Sequence, residues 1–238
     1  AGLDHPRTLY ARMLPATVLF NLERHQESAA AYRQLFADQS RVLGPDQAGT
    51  ILTALNLCTV LASTKNPAVY DEAAVHCRYA LEKYEAQLEP GHNKILAAMS
   101  TLSYIEQLRK SYPEAERLLR DALLRAEKAS SKGHAQNTSL RSNLGSLLME
   151  QGRFDEALLE LRRAVEETRA TLGREHPFAA MYALNEGECL RRLGRFADAI
   201  AVLEPSLSLL TAKFGPDHPR VTKGSLRLAR AREKNREP

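Results

Sequence analysis

Tryptophan is absent from the 238 residues, and aromatic residues make up only 6% of them. A core without large rings has to be filled by Leu, Ile, Val and Ala, which suits close packing of helix on helix. Cysteine is scarce too, at Cys58, Cys77 and Cys189, with no CxxC spacing and no nearby His pair. That pattern argues against a disulfide framework and for a reducing, cytoplasmic compartment. No apolar run approaches the roughly 18 residues of a membrane span, and no stretch has the pattern of a signal peptide. Catalytic signatures are missing as well: there is no Gly-x-Ser-x-Gly, His-Glu-x-x-His, P-loop or Gly-x-Gly-x-x-Gly. We therefore expect no enzyme, no cofactor and no membrane partner.

A net charge of either sign is also lacking over most of the chain. The formal net charge is +4, but the stretch from Arg220 onward carries seven basic residues against Glu233 and Glu237. The rest is close to neutral, so the body is not a basic protein. Arg227, Arg230 and Lys234 fall on helical spacing and could form a nucleic-acid footprint. No aromatic residue follows Phe214, however, so base stacking has nothing to use. The better reading is a polar capping helix, with Leu226, Leu228 and Ala229 turned inward and no nucleic-acid partner.

What the chain does have is a repeat. A Gly-x-x-His-Pro marker recurs, with His or its replacement at His5, Gln47, His92, His134, His176 and His218, at steps of 42, 45, 42, 42 and 42. The longer step falls where residues 63–69 lengthen one turn between helices. Between markers lies a helical hairpin whose second helix opens alike each time: Tyr70-Asp71-Glu72-Ala73, Tyr112-Pro113-Glu114-Ala115, Phe154-Asp155-Glu156-Ala157 and Phe196-Ala197-Asp198-Ala199. An aromatic anchors the turn, acids favour the positive end of the helix, and Ala permits close approach. A weaker copy, His25-Gln26-Glu27-Ser28, occurs in the first hairpin.

The marker has its own local chemistry. Gly44, Gly173 and Gly215 suit a left-handed residue that ends a helix. Pro6, Pro177 and Pro219 suit the first position of the next helix. Gln47-Ala48, His92-Asn93 and His134-Ala135 depart from His-Pro and should be less rigid junctions. Histidines one repeat apart stand about 10 Å or more from each other, too far for zinc, which needs ligands about 2 Å away. They are expected to pack and hydrogen-bond at the loops, with no metal. Hairpins are expected at about 7–39, 48–88, 94–129, 137–172 and 178–214, and a capping helix at about 220–234. Pro15 should kink or shorten the first helix.

The order Leu144-Gly145-x-x-Leu148, Ala157, Leu161, Ala164 resembles the tetratricopeptide repeat, a helix-turn-helix unit. The 42-residue spacing, against about 34 in the usual repeat, looks like that of kinesin light chains and of many bacterial regulatory proteins. The resemblance implies an all-α, right-handed superhelical array of five hairpins plus a C-terminal capping helix, forming a single domain over residues 1–238. Because the chain opens on a marker and carries no initiator Met, it reads as a piece of a longer protein.

In that family the first helices line the concave face, which holds an extended peptide. Asn56, Thr101, Asn143 and Asn185 share one position on the first helices, where the first hairpin has Leu14. Asn in mid-helix is odd on propensity, since its side chain competes for the backbone. The resemblance implies that these residues bind a ligand backbone. It also implies that Tyr104 and Met149 wall a side-chain pocket, and that Arg191 and Arg192 attract acids, with Glu188 competing nearby. The resulting expectation is a protein-interaction module, monomeric or weakly self-associating, that binds a peptide or disordered segment of a partner. The alternative is a regulatory or oligomerisation scaffold of a larger enzyme or transcription regulator, sensing a ligand or binding its own parent chain.

Overall fold

The computed structural model describes Gly2, residues 4–129 and residues 135–236. It is all-α, with twelve helices among the described residues: α1 (Pro6–Ala11), α2 (Met13–Asn21), α3 (His25–Val42), α4 (Ala48–Ser63), α5 (Tyr70–Gln87), α6 (Asn93–Leu108), α7 (Tyr112–Ala129), α8 (Ala135–Glu150), α9 (Phe154–Leu172), α10 (Pro177–Arg192), α11 (Phe196–Phe214) and α12 (Pro219–Asn235). Two compact units divide the chain, residues 1–118 and 119–238. In the first unit, α2 packs on α3, α3 on α4, α4 on α5 and α5 on α6. In the second, α8 packs on α9, α9 on α10, α10 on α11 and α11 on α12.

The markers become helix starts. His5, His92, His176 and His218 are N-caps whose Nδ1 accepts the backbone N–H two residues on, at 3.2–3.3 Å. This satisfies one of the orphan donors of each first turn. Gln47 caps α4 with no such side-chain bond, and His134 lies outside the described residues. Each helix-ending glycine of the marker has positive φ, but Gly173 (φ 97°, ψ 157°) and Gly215 (φ 85°, ψ 163°) are extended, not left-handed helical as expected. The mirror-β region they occupy is open to glycine alone. Pro15 acts where its chemistry requires. Its ring clashes with the carbonyl four residues back, that of Ala11, and the first helix breaks at Arg12. The lengthened turn in the second hairpin holds a 3-10 segment, Pro67–Val69.

Within a hairpin the two helices approach closely at a small residue eleven places after the marker: Ala16, Cys58, Ser103, Gly145 and Gly187. A Cβ on Gly145 would lie 2.6 Å from Leu161 Cγ and 3.2 Å from the Ala157 carbonyl, and one on Gly187 would lie 2.5 Å from Leu203 Cγ. Where a Ser occupies the position it also bonds, Ser103 Oγ donating to the Ala115 carbonyl at 2.8 Å. Ser28 does the reverse from α3, donating to the Ala16 carbonyl at 2.7 Å.

At α4 and α5 the small-on-large contact is replaced by Cys58 and Cys77, fully buried and joined as a disulfide with a Cα–Cα distance of 5.6 Å. This corrects the expectation against disulfide bonding and removes the cysteine argument for a reducing compartment. The pair was hidden because 19 residues separate the two cysteines in sequence, while the hairpin crossing brings them together. Cys189 remains free and buried. No described helix is long and apolar enough to cross a membrane.

The capping helix needs a second correction. Its inward face is Val221, Gly224, Leu228 and Ala231, while Leu226 and Ala229 are exposed and Arg227 is partly buried. The spacing of three, four and three residues keeps that face on one side of the helix, whereas Leu226 lies two positions from both Gly224 and Leu228. Gly224 sits on Leu207 and Leu184, 2.6 and 3.2 Å from where its Cβ would be.

Two outcomes follow from the packing. Gly145→Val should cost about 1–3 kcal/mol in a thermal melt, because the added atoms meet Leu161 and the α9 backbone. Denatured but unreduced protein should show one reactive thiol of its three, and Cys58→Ala should lower stability by about 2–4 kcal/mol.

Candidate functional site

The face in question lies on the first helix of each hairpin, nine residues after the marker. In the first unit, Asn56 on α4 is half-buried and its Nδ2 reaches Met13 Sδ at 3.8 Å, a weak contact. Thr101 on α6 donates to the Ala97 carbonyl one turn back at 2.9 Å. Tyr104, also on α6, is 49% exposed. The α6 core carries a charge that sequence reasoning missed. Glu106 is buried where other hairpins place Leu61, Leu148 and Leu190, and it is paired by Arg78 and by Arg109 at 2.8 Å.

In the second unit, Asn143 on α8 is exposed beside the buried Leu144, and Met149 is buried, so its side chain offers little surface to a ligand. Asn185 on α10 is half-buried and tied into the protein: its Nδ2 donates to Ser142 Oγ at 3.2 Å, and its Oδ1 accepts from Arg227 Nη1 at 3.3 Å. Ser142, Asn185 and Arg227 thus form a polar chain across α8, α10 and α12. Arg191 and Arg192 are also engaged, both bonding Glu188 at 2.9 Å, with Arg191 doing so through two nitrogens.

Arg227 and the depth of Glu188 are what sequence reasoning missed here. The signal for Arg227 was present: it stands nine residues after His218, as Asn185 stands nine after His176. Arg227 Nη1 also donates to the Leu184 carbonyl at 2.8 Å, and its Nε lies 3.9 Å from Glu188 Oε2. Burial alone would raise the Glu188 pKa. Hydrogen bonds from Arg191 and Arg192 and the charges of Arg191 and Arg227 outweigh burial and hold it at about 2. Arg227 is shifted down, chiefly by burial and further by Arg192 and Arg191. Burial pushes the Cys189 thiol up to about 11, which leaves it inert as a nucleophile at neutral pH. Among the described residues no group of three His, Cys, Asp or Glu could share a metal ion. What this face presents is hydrogen-bonding and cationic groups.

The lowered Glu188 pKa makes a pH prediction. A carboxylate with its folded pKa below the unfolded 4.5 adds stability above that value and loses it as pH falls toward 2. The contribution is roughly 3 kcal/mol at neutral pH. Melts from pH 6 down to about 2 should therefore show a wild-type decline whose excess over Glu188→Gln disappears at the acid end.

Two models of the tetratricopeptide repeat match the chain, one over residues 95–136 and one over 136–212. No curated protein matches the sequence significantly. The fold is similar to that of a Podosopora anserina protein with nearly identical TPR-like repeats of kinesin-light-chain type, at 19% identity and TM-score 0.72, covering 88% of this chain and 98% of the other. It is also similar to BtubC (BKLC) from P. vanneervenii, at 19% identity and TM-score 0.70, covering 90% and 85%. Residues 95–212 thus carry tetratricopeptide repeats, and the fold over most of the chain is that of kinesin-light-chain-like repeat proteins.

Proposed function

We propose that this protein is a non-enzymatic interaction module that holds an extended peptide or disordered segment of a partner protein along its first helices. The observation that carries the reading is Asn143, an exposed amide at mid-helix on α8, flanked by the buried Ser142 and Leu144. Nothing in helix propensity favours it there, and its donor and acceptor suit a peptide backbone. Tyr104 adds an exposed aromatic on α6, of the kind enriched where chains meet. Thr101, Asn56 and Asn185 hold the same position on their helices but are half-buried, whereas Asn143 is exposed, so Asn143 is the amide on which the reading turns.

An alternative use, self-association as a scaffold, is favoured by a separate feature. Tyr10, Leu14, Val18 and Leu22 recur every four residues across α1 and α2, and all are exposed. Such an apolar stripe is typical of a face that meets another chain. Light scattering over a concentration series separates the two uses, a monomer supporting the receptor.

The decisive test is titration of a partner captured from lysate against wild type and Asn143→Ala. A hydrogen bond is worth about 0.5–1.5 kcal/mol net, and about 1–3 if its loss strands a buried partner. Affinity should fall by roughly threefold to more than a hundredfold with the melting temperature unchanged. Equal affinities, or a large loss of stability, would refute the role.

A further inference from the structure

In the second unit, α10 and α12 bring three guanidinium groups onto one carboxylate. Glu188 is buried, its side chain 10% exposed, and its two oxygens receive Arg191 and Arg192 at 2.9 Å. Arg227 approaches the same carboxylate only to 3.9 Å, with its side chain 17% exposed. Among the described residues no other carboxylate lies within 4.0 Å of these three arginines. The cluster therefore carries an excess of two positive charges in a partly desolvated place.

We propose that this cluster is a receptor for a phosphoryl group, presented by a phosphorylated side chain of the bound segment. The carrier's being a peptide rests on the interaction reading above, whereas the anion site does not. The geometry supplies donors as well as charge. Arg192 uses Nε on Glu188, which leaves both of its Nη groups without an acceptor among the described residues. Arg227 uses Nη1 on the Leu184 carbonyl and Asn185 Oδ1, which leaves Nη2. Glu188 and the Leu184 carbonyl hold the two side chains in place, so little rotamer freedom remains to be lost on binding.

Charge balance selects the ligand. A phosphomonoester carries about −1.5 to −2 at neutral pH and three acceptor oxygens, matching the surplus, and arginine forks fit it. One carboxylate would leave a partly buried positive charge uncompensated, at a desolvation cost. The downward shift of Arg227 by burial and by its two arginine neighbours marks the same imbalance.

The test uses the full chain and inorganic phosphate and O-phosphoserine as probes, titrated by calorimetry or nuclear magnetic resonance at constant ionic strength. Acetate and succinate serve as carboxylate controls. Phosphate and phosphoserine should bind with shifts confined to α10 and α12. Arg192→Gln, whose side chain is 44% exposed and peripheral to packing, should weaken binding about tenfold, the factor expected when a charge-assisted contact is lost. Arg227→Gln should do likewise, with circular dichroism confirming the fold. Glu188→Gln removes the internal counter-charge and should tighten binding severalfold, an opposite sign that a merely structural role would not give. Equal binding of succinate would overturn the phosphoryl assignment, and unchanged phosphate binding by Arg192→Gln would overturn the site. Asn143→Ala should leave phosphate binding intact, so failure of the peptide reading and failure of the anion site are seen separately.

Discussion

The close crossing of two helices at a residue with little or no side chain is the contact on which the repeats depend. At Gly145 and Gly187 the space a Cβ would fill is taken by Leu161 and Leu203. Interiors pack at crystal-like density, so a leucine that reaches the neighbouring backbone fixes both the separation and the rotation of the pair. The rotation in turn decides which residues of the first helix face away from its partner. Asn143 is exposed because Gly145, two positions on, is committed to α9 and Leu144 between them is buried. The candidate binding face is a by-product of the packing.

Variation at that crossing shows what the fold requires. A serine hydroxyl satisfied by the Ala115 carbonyl serves in place of glycine at Ser103, since a buried polar group is tolerated once it is bonded. A cysteine pair serves at Cys58 and Cys77. The common requirement is small volume with no polar atom left over, and three different chemistries meet it.

Charge follows a different logic. Buried carboxylates occur at Glu106 and Glu188, each met by arginines from its own and a neighbouring helix. At Glu106 one of the two arginines, Arg109, also pairs with Asp71 at 2.7 Å, so two arginines meet two carboxylates and the group reads as structure. At Glu188 three arginines share one carboxylate, and the balance is left open toward solvent. Two similar motifs thus differ in what they can do, and the difference is a count of opposite charges within reach.

The sequence by itself determined the all-helical repeat, the histidines that hydrogen-bond at the loops and the break near Pro15. Each of these is set by neighbours along the chain: a 42-residue period, a proline ring, an Nδ1 two residues from the N–H it accepts. Tertiary structure alone decided the rest. It joined Cys58 to Cys77 across 19 residues, turned Leu226 outward and Arg227 inward, buried Met149, and spent the Asn185 amide on Ser142 and Arg227. Periodicity specifies which side of a helix is apolar. It does not specify which polar groups on the other side find each other, because those bonds span roughly 40 residues of sequence and depend on the angle at which whole helices cross.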